Sequence, residues 1–88
     1  MKIKAGYIIK KLGDGHVVVT VGKASRDFNG LIRLNDAGTF LWERIRNGDD
    51  TREKLIQAML DNYEDLDCQT AEADLTVFLE SIAFALEE

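Results

Sequence analysis

Two runs of mainly β-branched residues near the start of the chain predict the two strands of a β-hairpin. They lie within residues 7–22 and flank Asp14-Gly15, a pair that favours a type I′ hairpin because both central positions of that turn need positive φ. In this register Leu12 faces Val17. We predict that the core face of the hairpin carries Ile8, Leu12, Val17, Val19 and Val21. The other face, mixed and partly exposed, carries Tyr7, Ile9, Lys11, Val18 and Thr20.

A polar segment bounded by Gly22 and Gly30 follows the hairpin, and we expect its one large apolar residue, Phe28, to point inward. Residues 31–34 then form a third, very short strand, in which alternate side chains share a face. Its two faces carry Ile32 with Leu34 and Leu31 with Arg33.

Three amphipathic helices fill the rest of the chain. The first begins after Asn35, a good N-cap, and ends near Asn47-Gly48; the second begins near Asp50 or Thr51, and the third near Asp67. Apolar residues at helical spacing mark the inward face of each helix. These stripes are Ala37, Phe40, Leu41, Trp42 and Ile45; then Ile56, Met59, Leu60 and Tyr63; then Ala71, Leu75, Phe78, Leu79, Ile82 and Leu86, with the third helix running toward the end of the chain.

The third helix also carries a second apolar line, displaced from the first and made of Ala73, Val77, Ser81 and Phe84. A helix with two apolar faces has apolar neighbours on two sides. Val77 and Phe84 therefore either pack on the sheet or line a groove for a partner, and the pattern leaves both interpretations open.

The element order β-β-β-α-α-α predicts one α+β domain over residues 1–88, with a three-stranded antiparallel sheet followed by three helices. A small sheet on one side of three helices also suits a winged-helix-like arrangement.

Charge is distributed unevenly along the chain. Residues 1–54 hold all eleven basic residues and seven acidic ones, a net charge of +4, whereas residues 55–88 hold nine acidic and no basic residues, a net charge of −9. Such asymmetry is informative about partners rather than about fold.

The composition excludes several classes of site. One cysteine, Cys68, and one histidine, His16, make neither an internal disulfide nor a structural zinc site. His16 has no placed nucleophile beside it, and we expect an exposed strand residue; Cys68 lacks an adjacent base. We therefore expect no enzyme, no metal and no cofactor. A cytoplasmic protein without a membrane span or secretion signal is the simplest interpretation.

Nucleic-acid binding is also disfavoured. Winged helices often place a basic helix in the major groove of DNA, but the third helix here has no basic residue. Phosphates would repel so acidic an element.

The sequence resembles the PqqD-like proteins, the stand-alone form of the recognition element of ribosomally made, later modified peptides (RiPPs). The resemblance lies in VVVTVGKASRDFNGLIRLNDAGTFLWERI, then DDTREKLIQAMLDNY, then the closing amphipathic helix, and covers residues 6–86. It is sharpest in GLIRLNDAGTFLWE, where a short strand, a small-residue helix start and an aromatic-Leu-Trp cluster fall in register.

The resemblance implies a non-catalytic peptide chaperone that binds the leader of a precursor peptide and presents it to a modifying enzyme, often a radical S-adenosylmethionine (radical SAM) protein. It also implies that the leader adds as a strand to the edge of the third strand and fills a groove against the third helix. Carried onto this chain, the peptide-binding residues are Leu31, Ile32, Arg33 and Leu34 on the strand, and Ala73, Asp74, Val77, Phe78 and Ser81 on the helix.

Several alternatives stay open. Arg33 either binds a leader carboxylate or is simply an exposed strand residue. Ile32 and Leu34 either pack only in the core or also form pockets for the leader. We expect a monomer or an edge-paired dimer. The rival functions are a protein-interaction module that docks a basic partner through its acidic third helix, and a degenerate winged-helix regulator.

Overall fold

The computed structural model describes residues 1–27 and 31–87. Phe28, for which we predicted an inward orientation, lies outside these residues. The strands are β1 (Lys2–Ile3), β2 (Tyr7–Leu12), β3 (Gly15–Thr20), β4 (Ile32–Leu34) and β5 (Leu86–Glu87). The helices are α1 (Ala24–Asp27), α2 (Asp36–Arg46), α3 (Arg52–Asn62) and α4 (Cys68–Ser81), followed by a 3₁₀ turn at Ala83–Ala85.

Strands β2, β3 and β4 form an antiparallel sheet in that order, and α2, α3 and α4 follow it along the chain. This confirms the predicted α+β class with a three-stranded sheet before three main helices. One core cluster joins the sheet to the helices, and Trp42, Leu55 and Leu75 at its centre are 0% exposed.

The hairpin turn differs from the prediction by one position. Leu12 pairs with Gly15, so the two loop residues are Gly13 and Asp14. Gly13 has φ +64°, and no non-glycine residue of the described chain has positive φ. Glycine at the first central position is the requirement of a type II′ turn, and Gly13 meets it one residue before the Asp-Gly pair that we chose.

The predicted core face of the hairpin is wrong. Tyr7 and Val18 are buried, at 8% and 0% exposed, whereas Ile8 and Leu12 are 37% and 50% exposed. Three consecutive valines place an apolar residue on either face, so the alternation alone does not choose between them. The face that we predicted as core is therefore the outer face of the sheet. Val17 on that face is nevertheless buried, because it lies in the central strand between Lys10 and Arg33.

The predicted helix starts are confirmed. Asn35, Thr51 and Asp67 are the N-caps, and the side chain of each accepts a hydrogen bond from the backbone N–H three residues later. The first helix ends as predicted, at Asn47 and Gly48, where Gly48 has φ +115°.

The last helix is shorter than predicted. It ends at Ser81, whose hydroxyl donates to the Phe78 carbonyl over 2.7 Å, a local bond that competes with helical pairing. The chain then turns, and Leu86 pairs with Ile3 in a two-stranded ribbon. That pairing joins the two ends of the chain, so the local pattern did not reveal it. In α3 the stripe also missed Leu55 and Ala58, both of which are buried.

Candidate functional site

Strand β4 is an edge of the sheet. Within the described residues it pairs only with β3, through Ile32 with Val18, Arg33 with Val17 and Leu34 with His16. Its other side presents backbone N–H and C=O groups that a further strand can pair. The edge is only three residues long, as edges that avoid uncontrolled pairing often are.

A groove of about 350 Å³ lies beside this edge, between β4 and α4, with the first turn of α2 beneath it. On the side of β4 and α2 it is lined by Arg33, Leu34, Asn35, Ala37, Gly38 and Leu41. On the side of α3 and α4 it is lined by Met59, Asp74, Val77, Phe78 and Ser81. Backbone groups for pairing therefore adjoin a concave, mainly apolar surface.

Asn35 places the groove by switching the chain from strand to helix. Its backbone is extended, and its Oδ1 accepts from the Gly38 N–H over 2.7 Å, which satisfies a donor of the first helical turn. An added Cβ at Gly38 would lie 3.2 Å from Asn35 Oδ1, a tight contact, and 3.4 and 3.5 Å from Phe78 Cε1 and Leu34 Cβ, which are ordinary contacts. Glycine therefore leaves room for the capping oxygen where α2 meets both walls of the groove.

The sequence left open whether Val77 and Phe84 line a groove or pack on the sheet, and the structure places them differently. Val77 is 67% exposed and lines the groove, whereas Phe78 beside it is 8% exposed and belongs to the core. Phe84 lies beyond the end of α4 and packs on the sheet, with its ring centroid 5.7 Å from that of Tyr7. The groove interpretation therefore applies to Val77 and the sheet interpretation to Phe84.

Two oppositely charged residues are among those that line the groove. Arg33 is exposed on β4, and Asp74 is exposed on α4. Neither forms an ion pair with another described residue. The lowered carboxyl pKa values lie elsewhere: the Lys54 side chain lowers the pKa of Asp50, and the Thr70 backbone N–H lowers the pKa of Asp67.

The structure brings together six of the nine predicted site residues, namely Arg33, Leu34, Asp74, Val77, Phe78 and Ser81. Leu31 and Ala73 are exposed outside the groove lining, and Ile32 packs against the core cluster. Sequence reasoning missed the floor, made of Asn35, Ala37, Gly38, Leu41 and Met59. The sequence feature that could have indicated this floor is the pair of small residues Ala37 and Gly38 at the start of α2, because small side chains permit close approach of neighbouring elements.

Within residues 1–27 and 31–87, no three His, Cys, Asp or Glu side chains cluster as metal ligands would. None of the helices in the same ranges combines the length and apolar character that spanning a bilayer requires.

Residues 6–83 match the family model described as coenzyme PQQ synthesis protein D (PqqD). The chain belongs to the PqqD family. A solved structure titled "TbiB1 in Complex with the TbiA(beta) Leader Peptide" has a similar fold, with a TM-score of 0.75 and 24% sequence identity over 96% of this chain and 90% of the other. Comparison with the curated proteins gives no match.

Proposed function

We propose that this PqqD-family protein binds the leader segment of a ribosomally made precursor peptide and presents it to a modifying enzyme. The observation that carries the proposal is the position of the groove directly beside the edge of β4 that no other described strand pairs. An extended peptide at that edge gains main-chain hydrogen bonds, and its alternate side chains enter the groove.

The side chains of the groove suit this mode of binding. Val77 and Phe78 offer apolar contact from α4, and Leu34 continues that surface onto the strand. Arg33 has a guanidinium free of ion pairs with the described residues, and a guanidinium binds a peptide carboxylate through two parallel hydrogen bonds. Leu31 and Ile32 contribute through the backbone of the edge rather than through the groove.

The comparisons support the same proposal. The family is described by its part in the synthesis of coenzyme PQQ, and TbiB1, which has a similar fold, is in complex with a leader peptide. In this proposal the chain itself is not catalytic and needs no cofactor. The modifying enzyme, a radical SAM protein in our interpretation, supplies the chemistry in the cytoplasm, where the precursor is made.

A second candidate function follows from α4, whose exposed face carries Glu72 and Glu80 and no basic residue. This face would dock a basic patch on a partner enzyme. Electrostatic docking of this kind weakens steeply with salt. Enzyme binding that is lost at high salt, in a chain that binds no peptide, would favour it.

The test begins with random 15-residue peptides displayed on mRNA and selected on the 88-residue chain. The most enriched sequence, made synthetically, is called the selected peptide below. We expect it to bind in fluorescence anisotropy, and Val77→Asp to weaken that binding by about tenfold or more, as loss of a central interface contact does. Because Val77 is 67% exposed, the variant should keep its fold.

Gln69→Asp is the matched control, since it adds the same charge to an exposed position of α4 outside the groove. We expect it to bind the selected peptide as the parent chain does. Peptide binding in this groove would be refuted if no selected peptide saturated the chain below millimolar concentration. It would also be refuted if Val77→Asp and Gln69→Asp weakened peptide binding equally.

A further inference from the structure

The groove continues past Asp74 into a second pocket of about 390 Å³. The two cavities share Ala37, Met59 and Asp74, so they are continuous at the first turn of α2. Tyr63 and Leu66, from the end of α3 and the connection to α4, add apolar surface to the second pocket. A peptide lying in the groove therefore reaches this pocket without leaving the surface.

The rim of the second pocket is acidic. Glu64 and Asp65 in the α3–α4 connection join Asp74 around the apolar floor. None of these three carboxylates forms an ion pair with another residue of the described ranges. Every Lys and Arg of the chain lies at or before residue 54. Carboxylates of one sign around a concave surface focus the field and favour a cation there.

We propose that the second pocket takes a Lys or Arg side chain of the peptide bound in the groove. The proposal rests on the proposed function and specifies the chemistry of the peptide. Lys and Arg have apolar stems and charged heads. The stem would lie on Met59, Tyr63 and Leu66, and the head would reach the carboxylates at the rim.

A purely aliphatic side chain fits this pocket less well. It would cover the apolar floor, but it would also displace water from carboxylates without replacing their hydrogen bonds, which is costly. Arg33 adds a consequence, because its guanidinium lies over the outer face of the sheet, with Nη2 3.9 Å from the position of a Cβ on Gly15. A peptide with a carboxylate for Arg33 and a cation for the second pocket binds in one direction and one register.

The selected peptides provide the first test. We expect them to share a Lys or Arg at a fixed distance from their apolar residues. Replacing that residue with Met, and the paired substitution Glu64→Gln with Asp65→Asn, should each weaken binding by roughly fivefold, given the strength of exposed ion pairs. Combined, the two changes should cost little more than either alone, because they remove the same interaction.

Glu72→Gln with Glu80→Gln is the control, as it removes two exposed charges of α4 outside both pockets. We expect binding within twofold of the parent chain. Selected peptides without a fixed cation would overturn the proposal while leaving peptide binding intact, and so would additive losses or an equal loss in the control. Sedimentation that shows a dimer dependent on Glu64 and Asp65 would assign the pocket to a second copy instead. Selection of no peptide at all would refute the proposed function and this inference together.

Discussion

Asn35 has two roles at the scale of the residue. It ends the edge strand, and its side chain caps the helix beneath the groove. Both roles follow from its identity, since Asn is among the best N-cap residues and its own backbone is extended. The cap was predicted from the sequence. The role of Gly38 was not, because its close approach to Leu34 and Phe78 depends on elements far apart in the chain.

Thr39, the next residue of α2, has a buried hydroxyl with no hydrogen-bond partner among the described residues. Valine has the same shape without the hydroxyl, so Thr39→Val removes the cost of burying an unpaired polar group. We expect the free energy of unfolding in urea to rise by about 1 kcal/mol. A loss of stability of that size would show instead that the hydroxyl has a hydrogen-bond partner.

Asp67 makes the start of α4 sensitive to pH. Its Oδ1 accepts from the Thr70 N–H over 2.7 Å, and this bond lowers its pKa below the ordinary value of 3.8. A carboxyl whose pKa is lower in the folded state stabilises the fold fully above its unfolded pKa. That contribution disappears as the pH falls through the lowered value.

The variant Asp67→Asn keeps a capping oxygen but does not titrate. We expect the parent chain to be the more stable at neutral pH, and the difference in unfolding free energy to shrink as the pH falls below 3.8 and to vanish below the lowered pKa of Asp67. The other lowered carboxyl, Asp50, is present in both chains, so its titration cancels in the difference. A difference that stays constant from neutral to acidic pH would contradict this role of Asp67.

At the scale of the element, the helices were more predictable than the sheet. A helix stripe and its cap are local, so the starts at Asn35, Thr51 and Asp67 were visible in the sequence. The inward face of the hairpin is decided by what packs against it. The β-branched residues of β2 and β3 suit either face, and only the contact with distant helices selects one.

Ile8 and Ile9 test the corrected face directly, since they are identical neighbours on opposite sides of β2. Ile9 packs against the core cluster, whereas Ile8 is 37% exposed. We expect Ile9→Ala to cost about 2 kcal/mol of unfolding free energy and Ile8→Ala less than about 1 kcal/mol. Urea unfolding of both variants measures this. The reverse order would restore the face predicted from the sequence.

At the scale of the whole molecule, residues on both sides of the groove were predicted, whereas the residues of its floor were not. Arg33 and Leu34 on β4, and Asp74, Val77 and Phe78 on α4, were named from the family resemblance. The floor comes from the start of α2 and from Met59 on α3. No local pattern brings those elements together, because their approach is a result of the whole packing. The acidic second pocket was missed for the same reason, although its charges were visible in the sequence.

Addition of a peptide strand to the edge of β4 is tested by amide hydrogen exchange with the selected peptide bound. We expect exchange to slow at residues 31–34 and at alternate amides of the peptide. The opposite edge of the sheet, β2 at residues 7–12, should exchange as in the free chain and serves as the internal control. A bound peptide that leaves exchange at residues 31–34 unchanged would contradict strand addition at this edge.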